Sequence, residues 1–235
     1  MLGLEPVLVE IEPLRNFIDD RLMQTGGEQP TDMGLYHVSV YPHRATTSAA
    51  ILAGGQARRF DGRDKSRLVV DGQTIIIRQL DVLQQVASEI FVVSGFGERF
   101  ADLGLPVYPD RIPGLGAIGG LHTALESAHG DFVLAIACDL PFLTAGLLGR
   151  LVELAADADG AWIRWDRGVE PLIACYRRSA RAAVAAAIEA GQLKASDLNR
   201  VLRMAELDGP DLARFGPPER LLANVNSPDD LARLR

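Results

Sequence analysis

From residue 48 onward the chain alternates short apolar runs with longer stretches in which apolar residues recur every three or four positions. The unbroken run Val133-Leu134-Ala135-Ile136 suits a strand covered on both faces, because an exposed face would put a polar residue at every second position. On this pattern residues 49–53, 90–94, 106–108, 132–137, 161–165 and 172–176 are expected as strands. Residues 74–87, 118–128, 145–156, 180–190 and 228–234 are expected as helices. Strands separated by helices of about a dozen residues imply βαβ units. The expected fold class is α/β, three layers around a mostly parallel central sheet, with residues 48–235 forming one domain.

Residues 1–47 read differently. A short amphipathic helix fits residues 14–23, but residues 25–47 are rich in Gly, Pro and Thr and hold no sustained period. This segment is expected to be a poorly ordered extension, and a start codon assigned too far upstream would give the same pattern. It opens on Glu5, Glu10 and Glu12 rather than on a basic region followed by an apolar stretch, so no secretion signal is expected. No apolar run reaches the roughly 18 residues of a membrane span. Cys138 and Cys175 are too few for a disulfide framework or a four-cysteine zinc site, and a reducing, cytoplasmic setting is expected.

Charge narrows the ligand. With 24 basic and 31 acidic residues, the net charge of −7 argues against general binding of nucleic acid or anionic membrane. Only Lys65 and Lys194 are lysines. Yet Arg58, Arg59, Arg63, Lys65 and Arg67 crowd one short stretch against Asp61 and Asp64. A positive island on an acidic chain suggests a small anionic ligand, whereas by itself it would read as a solvated loop.

Ligands of open α/β sheets sit beyond the carboxyl ends of the strands, so the residues just after each strand matter most. The first strand leads into Gly54-Gly55 and then Arg58, Arg59 and Lys65. Glycines let a phosphate approach the backbone N–H groups, and the cations add charge-assisted bonds to the same anion. The spacing makes neither G-x-x-x-x-G-K-[ST] nor G-x-G-x-x-G, which excludes a P-loop and argues against a dinucleotide-binding dehydrogenase. The second, third and fourth strands lead into Ser94-Gly95-Phe96-Gly97, Pro109-Asp110 and Cys138-Asp139-Leu140-Pro141. Asp139 suits Mg²⁺, which takes one or two carboxylates plus substrate oxygens and water; the alternative is a cap on the next helix. For Asp110 the alternative to a ligand role is a turn residue before Pro113. Asn224 and Asn226 alternate on an extended stretch ahead of Ser227-Pro228, so both amides share a face that addresses either a ligand or strand-end backbone. His122 and His129 lack ligand spacing. Cys138 reads as a small buried residue, and Trp162 and Trp165 as sheet packing.

Taken together, Leu52-Ala53-Gly54-Gly55, Arg58-Arg59 and Asp64-Lys65 resemble the signature loop of molybdenum cofactor guanylyltransferases. The resemblance continues through Asp110-Arg111-Ile112-Pro113-Gly114-Leu115-Gly116 with Gly119-Gly120-Leu121, through Ala137-Cys138-Asp139-Leu140-Pro141-Phe142, and through Asn224-Val225-Asn226-Ser227-Pro228-Asp229-Asp230-Leu231. It implies a Rossmann-like nucleotidyltransferase fold and the transfer of GMP from GTP to Mo-molybdopterin, with Mg²⁺, yielding the guanine dinucleotide cofactor and pyrophosphate. It further implies that Leu52, Ala53, Gly54 and Gly55 meet the nucleotide, that Lys65 holds its phosphates, and that Asp110 lies in its pocket. Asp139 would bind both nucleotide and metal, Lys65, Asp139 and Arg59 would form the catalytic set, and Asn224 and Asn226 would face the pterin acceptor. Ser94 stands among the nucleotide-binding positions where relatives often carry Asn, and Phe60-Asp61 stands where many read Met-Gly. Partner proteins would be those that deliver the cofactor or the molybdoenzymes that receive it. A cytidylyltransferase of similar fold is the alternative enzyme; those relatives tend to read Leu-Ala-Ala-Gly, and Leu-Ala-Gly-Gly here favours guanine. A nucleotide-binding regulator without turnover is the alternative from another class.

Overall fold

In the computed structural model, which describes residues 41–54, 65–166, 168–225 and 230, the first described strand is β1 (Thr47–Leu52). A small hairpin of β2 (Val69–Val70) and β3 (Gln73–Thr74) precedes α1 (Ile75–Val86). Then come β4 (Glu89–Val93), β5 (Val107–Tyr108), α2 (Ala117–Ser127), β6 (Phe132–Ala137) and α3 (Ala145–Ala155). The chain continues through β7 (Gly160–Trp165), β8 (Gly168–Arg177), α4 (Arg181–Glu189) and β9 (Met204–Leu207).

The main sheet has seven strands in the order β5-β4-β1-β6-β8-β7-β9. β1 pairs in parallel with both β4 and β6, while β8 runs antiparallel to its neighbours β6 and β7. The α/β class and the mostly parallel sheet expected from the pattern are what the chain forms. Every residue of β1 is buried, and alternate side chains enter different cores. Ala49 and Ile51 join Ile76, Leu80 and Leu83 of α1 and Leu147, Leu148 and Leu151 of α3. Ala50 and Leu52 join Ile118, Leu121 and Leu125 of α2 and Val184 of α4 on the opposite face. The unbroken apolar run of β6 has the same cause, for Leu134 and Ile136 point to one layer and Val133 and Ala135 to the other.

Three features depart from the pattern-based expectation. β8 begins four residues before the expected start at Leu172, on half-buried positions whose polarity hides the strand. β9 has no counterpart in the pattern: this short edge strand is held beside β7, where Glu206 bonds Arg164. The β2–β3 hairpin turns on Asp71 and Gly72, both at positive φ (48° and 81°), the Asp-Gly signal of a tight hairpin. The helix expected at 228–234 lies outside the described residues, apart from Asp230. Trp162 is fully buried in the sheet, and the two cysteines are not joined to each other. Among the described residues no helix is long and apolar enough to cross a membrane.

Candidate active site

β1 is the switch point of the sheet: β4 and β5 extend on one side of it and β6 on the other. Beyond the carboxyl ends of these strands lies a cleft of about 260 Å³. Leu52, Ala53, Gly54, Lys65, Ser94, Asp110, Cys138 and Asp139 all line it, so residues up to 87 positions apart in sequence meet where strand-end reasoning put them. Gly55, Arg58, Arg59, Asp61 and Asn226 lie outside the described residues.

Asp139 is the most informative of the set. One carboxylate oxygen, Oδ1, is buried and accepts no hydrogen bond. Burial pushes the carboxyl above the ordinary aspartate value, against the opposing pull of the Lys65 charge and a backbone N–H. The next helix does not use Asp139 as its cap, because Thr144 fills that place: its hydroxyl accepts the Leu147 N–H at 3.3 Å. A buried, unpartnered carboxylate oxygen in a cleft that also holds a lysine fits a divalent cation better than a structural role does.

Asp110 does two things. Its Oδ1 accepts the Ile112 N–H at 3.1 Å and the Thr123 hydroxyl at 3.3 Å, so the turn role is real, and the residue also lines the cleft. Gly119 makes that position attainable. A Cβ there would come within 3.0 Å of the Ile112 carbonyl and 3.3 Å of Asp110 Oδ1, so a larger residue would press the turn a few tenths of an ångström off α2. At Ser94 the hydroxyl is committed to the scaffold: it donates to the Ala53 carbonyl at 3.4 Å and accepts the Phe96 N–H at 3.1 Å. The Ala53 N–H likewise donates to the Val93 carbonyl at 2.9 Å. Space beside Gly54 is open, with nothing within 4 Å of a Cβ placed there.

Asn224 is exposed, and the next residue explains its position. The Val225 N–H donates to the Asp139 carbonyl at 2.9 Å, drawing the C-terminal segment to the edge of the cleft. Half-buried Cys138 lines the cleft too, its N–H reaching the Leu52 carbonyl at 3.3 Å. It is therefore half-buried rather than the small buried residue expected from sequence.

Two residues, one on the cleft wall and one buried behind it, escape a reading of the sequence. Phe96 is 48% exposed at the cleft wall, and the Arg99 guanidinium lies 4.4 Å from its ring centroid. The available signal is an aromatic inside the glycine-rich tract after a strand, an odd place for a side chain with nothing to bury against. Gln79 gives no signal, since its helix reads from sequence as a simple core helix. Among the described residues no cluster of three or more His, Cys, Asp or Glu could hold a metal by protein ligands alone.

Residues 49–208 match the family model of the MobA-like NTP transferase domain. The chain is 33% identical to a probable molybdenum cofactor guanylyltransferase of Pelotomaculum thermopropionicum, over 80% of this chain and 91% of that protein. It is 35% identical to the protein of the same description from Carboxydothermus hydrogenoformans, over 80% and 94% respectively. Among solved structures it resembles molybdopterin-guanine dinucleotide biosynthesis protein A of Archaeoglobus fulgidus, with a TM-score of 0.65 and 27% identity, covering 80% of this chain and 96% of that one.

Proposed function

The chain belongs to the MobA-like NTP transferase family, and from that premise we propose that it transfers GMP from GTP to Mo-molybdopterin, with Mg²⁺, releasing pyrophosphate. The observation that carries this reading is Asp139, a buried cleft carboxylate with one unpartnered oxygen and the charge of Lys65 acting on it.

Nucleotidyl transfer leaves the protein little covalent work. An acceptor oxygen attacks the α-phosphorus, the bond to the bridging oxygen of pyrophosphate breaks, and the enzyme lowers the barrier by positioning and by neutralising charge. Lys65 holds the phosphates. Arg59 stabilises charge on the departing pyrophosphate. Leu52, Ala53 and Gly54 form the backbone wall against which the nucleotide rests, with Ser94 bracing that wall from the end of β4, and Gly55 completes the nucleotide-binding set. Asp110, fixed by its turn, closes the pocket from the β5 side. Asp139 would hold Mg²⁺, which when bound offsets phosphate charge and orients the reacting oxygens. Asn224 and Asn226 orient the acceptor; the Val225–Asp139 hydrogen bond, which draws Asn224 to the edge of the cleft, supports this reading.

Isothermal titration of the chain with GTP, CTP and ATP, with and without Mg²⁺, tests the nucleotide. Metal-dependent binding selective for GTP is expected. Preference for CTP would make the enzyme a cytidylyltransferase, and binding without pyrophosphate release in the presence of acceptor would make the chain a regulator.

A further inference from the structure

The strand-end loop that carries Asp139 is held by its carbonyl groups. Gln79 of α1 donates through Nε2 to the Ala137 carbonyl at 2.8 Å and to the Leu140 carbonyl at 3.1 Å. The Val225 N–H takes the Asp139 carbonyl at 2.9 Å, and Arg78 Nε takes that of Pro141 at 3.1 Å. Of these donors Gln79 is the one whose two bonds straddle Asp139.

Its surroundings make an amide there unexpected. Gln79 is 2% exposed on a helix whose other core-facing residues, Ile76, Leu80 and Leu83, are apolar. Its own Oε1 is buried without a partner. Packing alone would be served by an apolar side chain of the same length, with no orphaned oxygen. Reversing the amide would set Oε1 against two carbonyl oxygens, so the donor orientation is the one electrostatics allows.

We propose that Gln79 is a positioning residue for Asp139, its amide bracing both sides of the strand-end loop and so fixing where the carboxylate points into the cleft. It touches neither nucleotide nor acceptor and acts through the loop. The inference rests on the reading of Asp139 as the metal and nucleotide ligand.

The test compares the wild-type chain with Gln79→Met, which keeps length and loses both donors, and with Leu83→Ala, a core truncation one turn further along α1. Mn²⁺ is titrated into each protein in the presence of saturating GTP and followed by electron paramagnetic resonance, while amide exchange is measured at residues 138–140. Groups that orient metal ligands change metal affinity by roughly 10–100-fold when removed, and a loss in that range is expected for Gln79→Met. Its loop amides should also exchange faster. Leu83→Ala should lower the melting temperature yet keep wild-type Mn²⁺ affinity and loop protection. The proposal is overturned if Gln79→Met keeps wild-type affinity and protection, or if Leu83→Ala loses Mn²⁺ affinity as severely. If the wild-type chain takes up no Mn²⁺ with GTP, the functional reading falls instead. Amide exchange then decides the brace alone, and unchanged protection in Gln79→Met overturns it.

Discussion

A buried carboxylate oxygen with no donor is expensive to keep, and Asp139 keeps one. In the free protein this charge opposes folding; on the proposed reading a cation in the cleft offsets it. Asp139→Asn is nearly isosteric and removes the charge, so it should abolish metal-dependent transfer while raising the melting temperature of the ligand-free chain. Scanning calorimetry beside an activity assay checks both halves, and a variant that melts earlier than wild type would return Asp139 to a structural role. The motif around Asp139 was legible because strand, polar strand end and Pro141 are contiguous. Gln79 was not, because the carbonyl groups it serves lie 58 and 61 positions away.

Among the elements, β1 and β4 are secured at the end opposite the cleft by a polar knot. Glu89 accepts the Ser48 hydroxyl, the His129 N–H at 2.9 Å and the His129 ring, while Ser48 Oγ also accepts the Gly130 N–H at 2.8 Å. Gly130 is required because a Cβ there would sit 2.6 Å from the Thr46 carbonyl. Burial pushes the Glu89 carboxyl upward, but the hydrogen bonds from His129 and Ser48 outweigh it and hold the group below its ordinary value of 4.5. A carboxylate held low in the folded state adds stability that is present above its ordinary value and lost as pH falls through the folded one. Glu89→Gln should therefore cost on the order of 1–3 kcal/mol near neutral pH, with the gap to wild type closing below pH 4.5. Denaturant melts across pH read this directly; a gap independent of pH would mean that packing, not charge, holds the knot. Helix and strand types were legible from periodicity because each main element buries a continuous apolar face. The edges escaped: β9 is held beside β7 by the bond between Arg164 and Glu206, 42 positions apart, and the start of β8 is half-buried and lacks a continuous apolar face.

Viewed whole, the molecule opens its cleft where four strand ends converge, so a ligand bound there should stabilise the entire sheet. At a hundred times its dissociation constant a ligand adds about 2.7 kcal/mol. For a chain of this size that is a rise of roughly 5–11 °C in melting temperature. GTP with Mg²⁺ should produce that rise, and chelating the metal should reverse most of it; a rise unaffected by chelation would separate nucleotide binding from the metal. The α/β class, the two-sided burial of β1 and β6, the family, and the strand ends that carry glycine, lysine and carboxylate can all be read from the chain before it folds, because each is written in residues adjacent along it. It took the folded arrangement to establish that Thr144 and not Asp139 caps α3, that Ser94 braces Ala53, and that Val225 and Gln79 hold the loop of Asp139. Those are choices among hydrogen-bond partners, and a partner is selected by which distant backbone groups folding brings within about 3 Å, a distance that no local pattern encodes.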